Sequence, residues 1–136
     1  MLVLERKAML RRTIREFVRG RAGSESSRIA GERAQEHFLA AFPPSRGMSA
    51  ALYNAVRGEV GTEKIREAYL AAGATLYYPC VVAGGSLEFH SHGNGDGWVE
   101  GAYGIPEPSR VPGRPPRTGG FDLVLVPGVA FDLKGH

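Results

Sequence analysis

Between Val3 and Arg19 the apolar side chains Leu10, Ile14, Phe17 and Val18 recur at i, i+4, i+7 and i+8, the spacing of one helical stripe. Lys7, Arg11 and Arg15 follow one another at four-residue intervals. On a helical wheel Lys7 and Arg11 border the stripe, and Arg12 and Arg19 lie further round. A cation at the edge of a buried face reaches into any cleft that the helix helps to line. Gly20 to Gly23 interrupts the pattern. Ser24, Ser26 and Ser27 offer caps for a second helix with a predicted buried face of Ile29, Ala30, Ala34, Phe38 and Ala41. Pro43-Pro44 ends it.

The middle of the chain reads as a strand–helix–strand unit. Met48 to about Val56 suits a strand. Thr62 is placed to cap a helix with apolar positions Ile65, Ala68, Tyr69 and Ala72, and Gly73 closes it. Thr75 to Val82 suits a second strand, and so short a crossover implies parallel pairing. Phe121 to Val126 is a continuous apolar run ended by Pro127-Gly128, the pattern of a central strand buried on both faces. Residues 1–136 are therefore expected to form a single α/β domain in three layers, a mainly parallel sheet with helices on both faces. Ligands of such sheets bind beyond the carboxyl ends of the strands, which points to Gly58-Glu59, Pro79-Cys80 and Pro127-Gly128. A buried strand at 121–126 is normally followed by a covering helix. Only ten residues follow it, so the domain is expected to be C-terminally incomplete.

Composition narrows the class. At 136 residues, with 43% hydrophobic and 23% charged positions, the chain is long and apolar enough for a real core and is not a disordered tail. No apolar run approaches the roughly 18 residues of a membrane span, and a lone Cys80 excludes an internal disulfide framework or a cysteine zinc module. Charge in Met1–Lys7, together with Glu5 and Glu16, argues against a leader peptide, so a soluble cytoplasmic protein is expected. The net charge of +3 is uneven: residues 1–36 hold nine Lys/Arg and five acids, and the remainder eight and nine. A basic helix suits either an anionic partner or an ordinary solvated surface. Twelve of the 19 glycines fall from Gly84 onward, so a helical half precedes a loop-rich one.

Other candidate chemistry is weaker. His90 and His92 share a strand face near Asp96, but no third ligand has metal-site spacing. Cys80 is either a nucleophile or a small pocket-lining residue, and no His/Asp arrangement supports the former. Gly113–Arg117 is a basic, proline-rich loop that could dock a partner. Neither a phosphate-binding G-x-x-x-x-G-K-[ST] loop nor a dinucleotide G-x-G-x-x-G is present.

Five segments, taken in order, resemble the 5-formyltetrahydrofolate cyclo-ligase (5,10-methenyltetrahydrofolate synthetase) family. They are Lys7-Ala8-Met9-Leu10-Arg11, Tyr53 to Thr62, Leu87-Glu88-Phe89, Gly104 to Pro108, and Asp122 to Asp132. The resemblance implies ATP-dependent cyclisation of 5-formyltetrahydrofolate to 5,10-methenyltetrahydrofolate, with release of ADP and phosphate. An amide oxygen leaves poorly, so its phosphorylation is what makes ring closure feasible, and phosphoryl transfer asks mainly for positioning and cations. By the same resemblance Lys7 and Arg11 are ATP-phosphate contacts, and Glu59 holds the pterin, its alternative role being that of a turn residue. Asn54 belongs to the substrate pocket, and Tyr103 is either an aromatic wall for the folate or a core tyrosine. Implied cofactors are ATP and Mg²⁺; implied partners are 5-formyltetrahydrofolate and ATP, with no membrane or nucleic acid, in a monomer that associates if its sheet is left uncovered. Three departures stand out. Pro79-Cys80 replaces a common Pro-Arg, and Val56 stands where an aromatic is frequent. The family's glycine-rich R-L-G-x-G-x-G-x-Y-D segment, with its magnesium-binding aspartate, is not among these 136 residues, so the chain is expected to be an N-terminal portion of a longer cyclo-ligase or a degenerate relative. The alternative reading is a non-catalytic nucleotide- or RNA-binding relative that uses the basic helix.

Overall fold

A computed structural model describes residues 2–136. Helix α1 (Val3–Arg21) is followed by α2 (Glu25–Ala41), strand β1 (Ser49–Ala51), α3 (Glu63–Ala71), β2 (Thr75–Val81) and β3 (Leu87–Ser91). Then come β4 (Trp98–Glu100), β5 (Pro106–Pro108) and β6 (Leu123–Val124). The main sheet has the order β3-β2-β1-β6: β1 pairs in parallel with both β2 and β6, and β3 adds antiparallel to β2. β4 and β5 form a separate antiparallel ribbon. The fold is therefore α/β, a mixed and mostly parallel sheet flanked by helices, as the apolar pattern required.

The core lies between the sheet and α3. Leu52, Ile65, Tyr69, Leu76 and Tyr78 are each at most 3% exposed, and Phe38, Leu39, Leu70, Leu123 and Leu125 close around them. Burial of each large side chain contributes about 1.5–3 kcal/mol. Ile65 and Tyr69 are thus the buried positions that the helical period predicted. Tyr69 also donates its hydroxyl to the Phe42 carbonyl at 2.7 Å, tying α3 to the end of α2.

Five expectations are corrected. The α2 face that turns inward is centred on Gln35, the only buried residue of that helix, and Ile29, Ala30, Ala34 and Ala41 face solvent. The reason lies at α3: Gln35 Oε1 accepts from the backbone N–H of Lys64 at 2.8 Å, capping α3 from another helix. Thr62 stands at the N-cap position but spends its hydroxyl on the Tyr53 carbonyl at 3.0 Å. The strand expected over 48–56 leaves the sheet after Leu52, because Tyr53 to Thr62 folds into a turn. The run at 121–126 is a two-residue strand at the sheet edge, with alternating rather than continuous burial; Val124 is 52% exposed. Its register is set by Asp122, whose carboxylate accepts from Ser49 N at 2.8 Å and Ser49 Oγ at 3.1 Å. Finally, α1 buries none of its residues: Leu10 and Phe17 are 59% and 63% exposed, and only Ile14 and Val18 are half-buried. That helix leans on two loops instead of on the sheet.

Candidate functional site

Those two loops leave the carboxyl ends of β1 and β6. The first turns at Val56–Glu59, where Arg57 and Gly58 take φ of 53° and 83°, the left-handed pair of a tight hairpin-type turn that favours glycine second. Glu59 N donates to the Val56 carbonyl at 3.1 Å, and one Glu59 carboxylate oxygen accepts from Val56 N at 3.0 Å. Tyr53 steadies the far side by donating its hydroxyl to the Val60 carbonyl at 2.8 Å. The second loop is Pro127 to Ala130.

α1 crosses both loops. It approaches closely at Gly58, where a β-carbon would stand 2.9 Å from Val18 Cγ1. Because glycine occupies that position, the helix backbone lies close against the turn. Two adjoining cavities result. The larger, about 650 Å³, is walled by Lys7, Arg11, Ile14 and Arg15 of α1, by Glu59, and by Pro127 to Ala130. The smaller, about 350 Å³, is walled by Arg15, Val18 and Arg19, the turn from Val56 to Val60, and Gly128-Val129. Both volumes are in the range of small-molecule sites. Glu59 belongs to both walls, with Arg15, Gly128 and Val129.

The groove is strongly cationic. Arg28 on α2 is paired with Glu25 and with Glu32 at 2.6 Å, Lys64 with Glu36 at 2.7 Å, and Arg114 with Asp96 at 2.7 Å. Among the described residues Lys7, Arg11, Arg12, Arg15 and Arg19 form no ion pair. Of these, Lys7, Arg11, Arg15 and Arg19 line the groove with Glu59, whereas Arg12 does not, and such a row of cations suits a ligand that carries several negative charges.

Lys7, Arg11 and Glu59, distant in sequence, thus meet in one cavity. Asn54 and Tyr103 are not among its walls. Asn54 donates its side-chain amide to the Pro106 carbonyl at 2.9 Å and holds the 104–108 segment to the end of β1. Tyr103 is 81% exposed in the left-handed region, with φ 61°. Arg19, further round the helix than Lys7 and Arg11, lines the smaller cavity with Arg15. The i+4 run Lys7, Arg11, Arg15, Arg19 was the signal available for it. Glu107 lies in the 104–108 segment that resembles the family. It is buried, and both carboxylate oxygens accept from Val81 N, at 3.1 and 3.3 Å, where β1 no longer covers the edge of β2.

The remaining candidates are structural. Cys80 is 1% exposed, and burial pushes its thiol pKa up against the opposing pull of Arg110, so it is a poor nucleophile. His90 bonds Glu88 at 3.0 Å. His92 is 3% exposed, stacks on Trp98 with ring centroids 3.6 Å apart, and lies 2.9 Å from Arg66 Nη2 through Nδ1. Burial first and the Arg66 charge second hold it below the usual imidazole range, so it is neutral with Nδ1 as acceptor. The glycine loop after it is pinned by Asp96, which accepts from Gly93 N at 2.8 Å and pairs with Arg114. Among the described residues no three His, Cys, Asp or Glu side chains converge to hold a metal, and no helix is long and apolar enough to cross a membrane.

Comparison with known proteins bears on this geometry. The model of the 5-formyltetrahydrofolate cyclo-ligase family matches residues 3–136. No match is found among curated proteins. Among solved structures, the NMR structure of Aquifex aeolicus 5,10-methenyltetrahydrofolate synthetase is similar over 93% of this chain, with a TM-score of 0.67 and 25% identity. This chain spans 64% of that one.

Proposed function

The chain belongs to the 5-formyltetrahydrofolate cyclo-ligase family, and from that premise we propose that its groove binds 5-formyltetrahydrofolate and ATP for ATP-dependent closure to 5,10-methenyltetrahydrofolate. The observation that carries this reading is the meeting of Lys7 and Arg11 with Glu59 in one cavity at the carboxyl ends of the parallel strands.

ATP supplies the phosphoryl group that makes the formyl oxygen a leaving group. The residues present suit a triphosphate: Lys7 and Arg11 lie one turn apart on α1, have no acid partners of their own, and point charge at the same cavity. Each charge-assisted hydrogen bond of this kind contributes about 1.5–3 kcal/mol. They stabilise the charge that develops on the transferring phosphoryl oxygens, the main task of a protein in this chemistry. Glu59 has one carboxylate oxygen committed to Val56 N and the other available to accept from the N–H groups of a pterin. The turn that Val56–Glu59 forms fixes where that oxygen points. Among the described residues no three acidic, histidine or cysteine side chains converge, and no residue is assigned here to Mg²⁺.

Two measurements test the reading. By titration calorimetry, Glu59→Gln, which keeps an acceptor for Val56 N but removes the charge, is expected to weaken 5-formyltetrahydrofolate binding about tenfold or more, the equivalent of 1.4 kcal/mol. Lys7→Ala with Arg11→Ala is expected to weaken Mg-ATP binding by at least as much. Turnover followed by methenyltetrahydrofolate absorbance completes the test. Folate affinity indifferent to Glu59, in a protein with unchanged circular dichroism, would overturn the assignment.

A further inference from the structure

The smaller cavity shares Arg15, Glu59, Gly128 and Val129 with the larger one and adds Arg19 and Arg57 to its cations. Its lining sets three valines, Val18, Val56 and Val60, beside three arginines, Arg15, Arg19 and Arg57. It continues along α1 beyond Glu59. With a rise of 1.5 Å per residue, Arg11 and Arg19 are about 12 Å apart along the helix, so the groove offers an elongated ligand two cationic ends with one carboxylate between them.

A flat apolar body ending in carboxylates is what such a wall accepts. The valines take the aromatic ring, and the guanidinium forks take the carboxylates, a pairing that their planar geometry favours over a lysine. Resting on the folate reading above, we propose that Arg15 and Arg19 bind the glutamate carboxylates of the folate, with the benzoyl ring on the valines. The order along α1 is then triphosphate at Lys7 and Arg11, pterin at Glu59, and glutamate at Arg15 and Arg19. Arg57 closes the same end from the turn.

The test compares 5-formyltetrahydrofolate with its pteroate analogue, which lacks the glutamate, on the unmodified chain and on the double variant Arg15→Ala, Arg19→Ala. Titration calorimetry at low salt is expected to give the folate about a tenfold advantage over the pteroate, 1.4 kcal/mol. In the double variant that advantage falls to about one, and Arg15→Lys with Arg19→Lys recovers only part of it. Equal affinities for the two ligands in the unmodified chain would overturn the proposal and leave the Glu59 assignment standing. Failure of both ligands to bind would overturn the folate reading and this proposal with it. An unaltered folate-to-pteroate ratio in the double variant, with loss of salt-sensitive binding to a labelled RNA oligonucleotide, would reassign the arginines to nucleic acid.

Discussion

Gly58→Ala is the sharpest perturbation of the groove, because one methyl group acts through two separable effects. The first is conformational. With φ at 83°, an L-residue is in the left-handed region, at a cost of roughly 1–2 kcal/mol. The second is steric: the new β-carbon would lie 2.9 Å from Val18 Cγ1 and 3.4 Å from the Val18 carbonyl oxygen. Val18 is only half-buried, so α1 is expected to yield by lifting from the turn rather than by distorting the core. The summed effect is about 2–3 kcal/mol, within the usual range for strain at a special backbone position. Urea denaturation followed by circular dichroism measures it, and calorimetry with 5-formyltetrahydrofolate reads the displacement of the Arg15–Arg19 edge from the turn. Adding Val18→Ala removes the contact with Cγ1 and leaves the φ cost, so the double variant is expected to recover part of the stability lost to Gly58→Ala. Strict additivity of the two substitutions would refute the close-approach argument. A Gly58→Ala protein within 0.5 kcal/mol of the parent would refute both parts of it.

Three other outcomes are expected. Gln35→Ala uncaps α3 and leaves the Lys64 and Ile65 amides without their acceptor; it should cost about 1–2 kcal/mol in urea denaturation, and Gln35→Glu should recover most of that. His92 is held neutral in the fold, its pKa lowered by burial and by Arg66, with Asp96 opposing. The unfolded chain therefore binds a proton first, so stability should fall as pH drops below about 6.5 and level off once the folded imidazole also titrates. His92→Phe should flatten that slope in denaturation curves between pH 7.5 and 5. Asp122→Ala removes the acceptor shared by Ser49 N and Ser49 Oγ. Amide hydrogen exchange should then speed at residues 122–125 before it does at β2, because among the described residues β6 has only β1 as a neighbour.

Local periodicity was enough to specify the helices and the parallel pair, since Ile65 and Tyr69 at helical spacing and the Thr75–Val81 run state their burial through hydrophobicity alone. The cationic row Lys7–Arg11–Arg15 was likewise legible, because i+4 spacing needs no partner to define a face; that Arg19 joins it in the groove was not. The meeting of that row with Glu59 was not legible. It depends on a crossover that brings residue 59 back to α1, and on a glycine that lets the two backbones approach. For the same reason α2 misled: Gln35 reads as a surface residue until α3 presents two N–H groups that need its oxygen. The edge position of 121–126 is also a tertiary fact, because an apolar run records only its own hydrophobicity and not how many neighbours a sheet provides. Asn54 and Glu107, quoted from the sequence as family motif residues, act in the fold as struts between strand ends and the 104–108 segment. Sequence by itself determined which residues could be buried, capped or charged. The tertiary structure decided which of them share a wall, because hydrogen-bond partners and close approaches come from segments tens of residues apart.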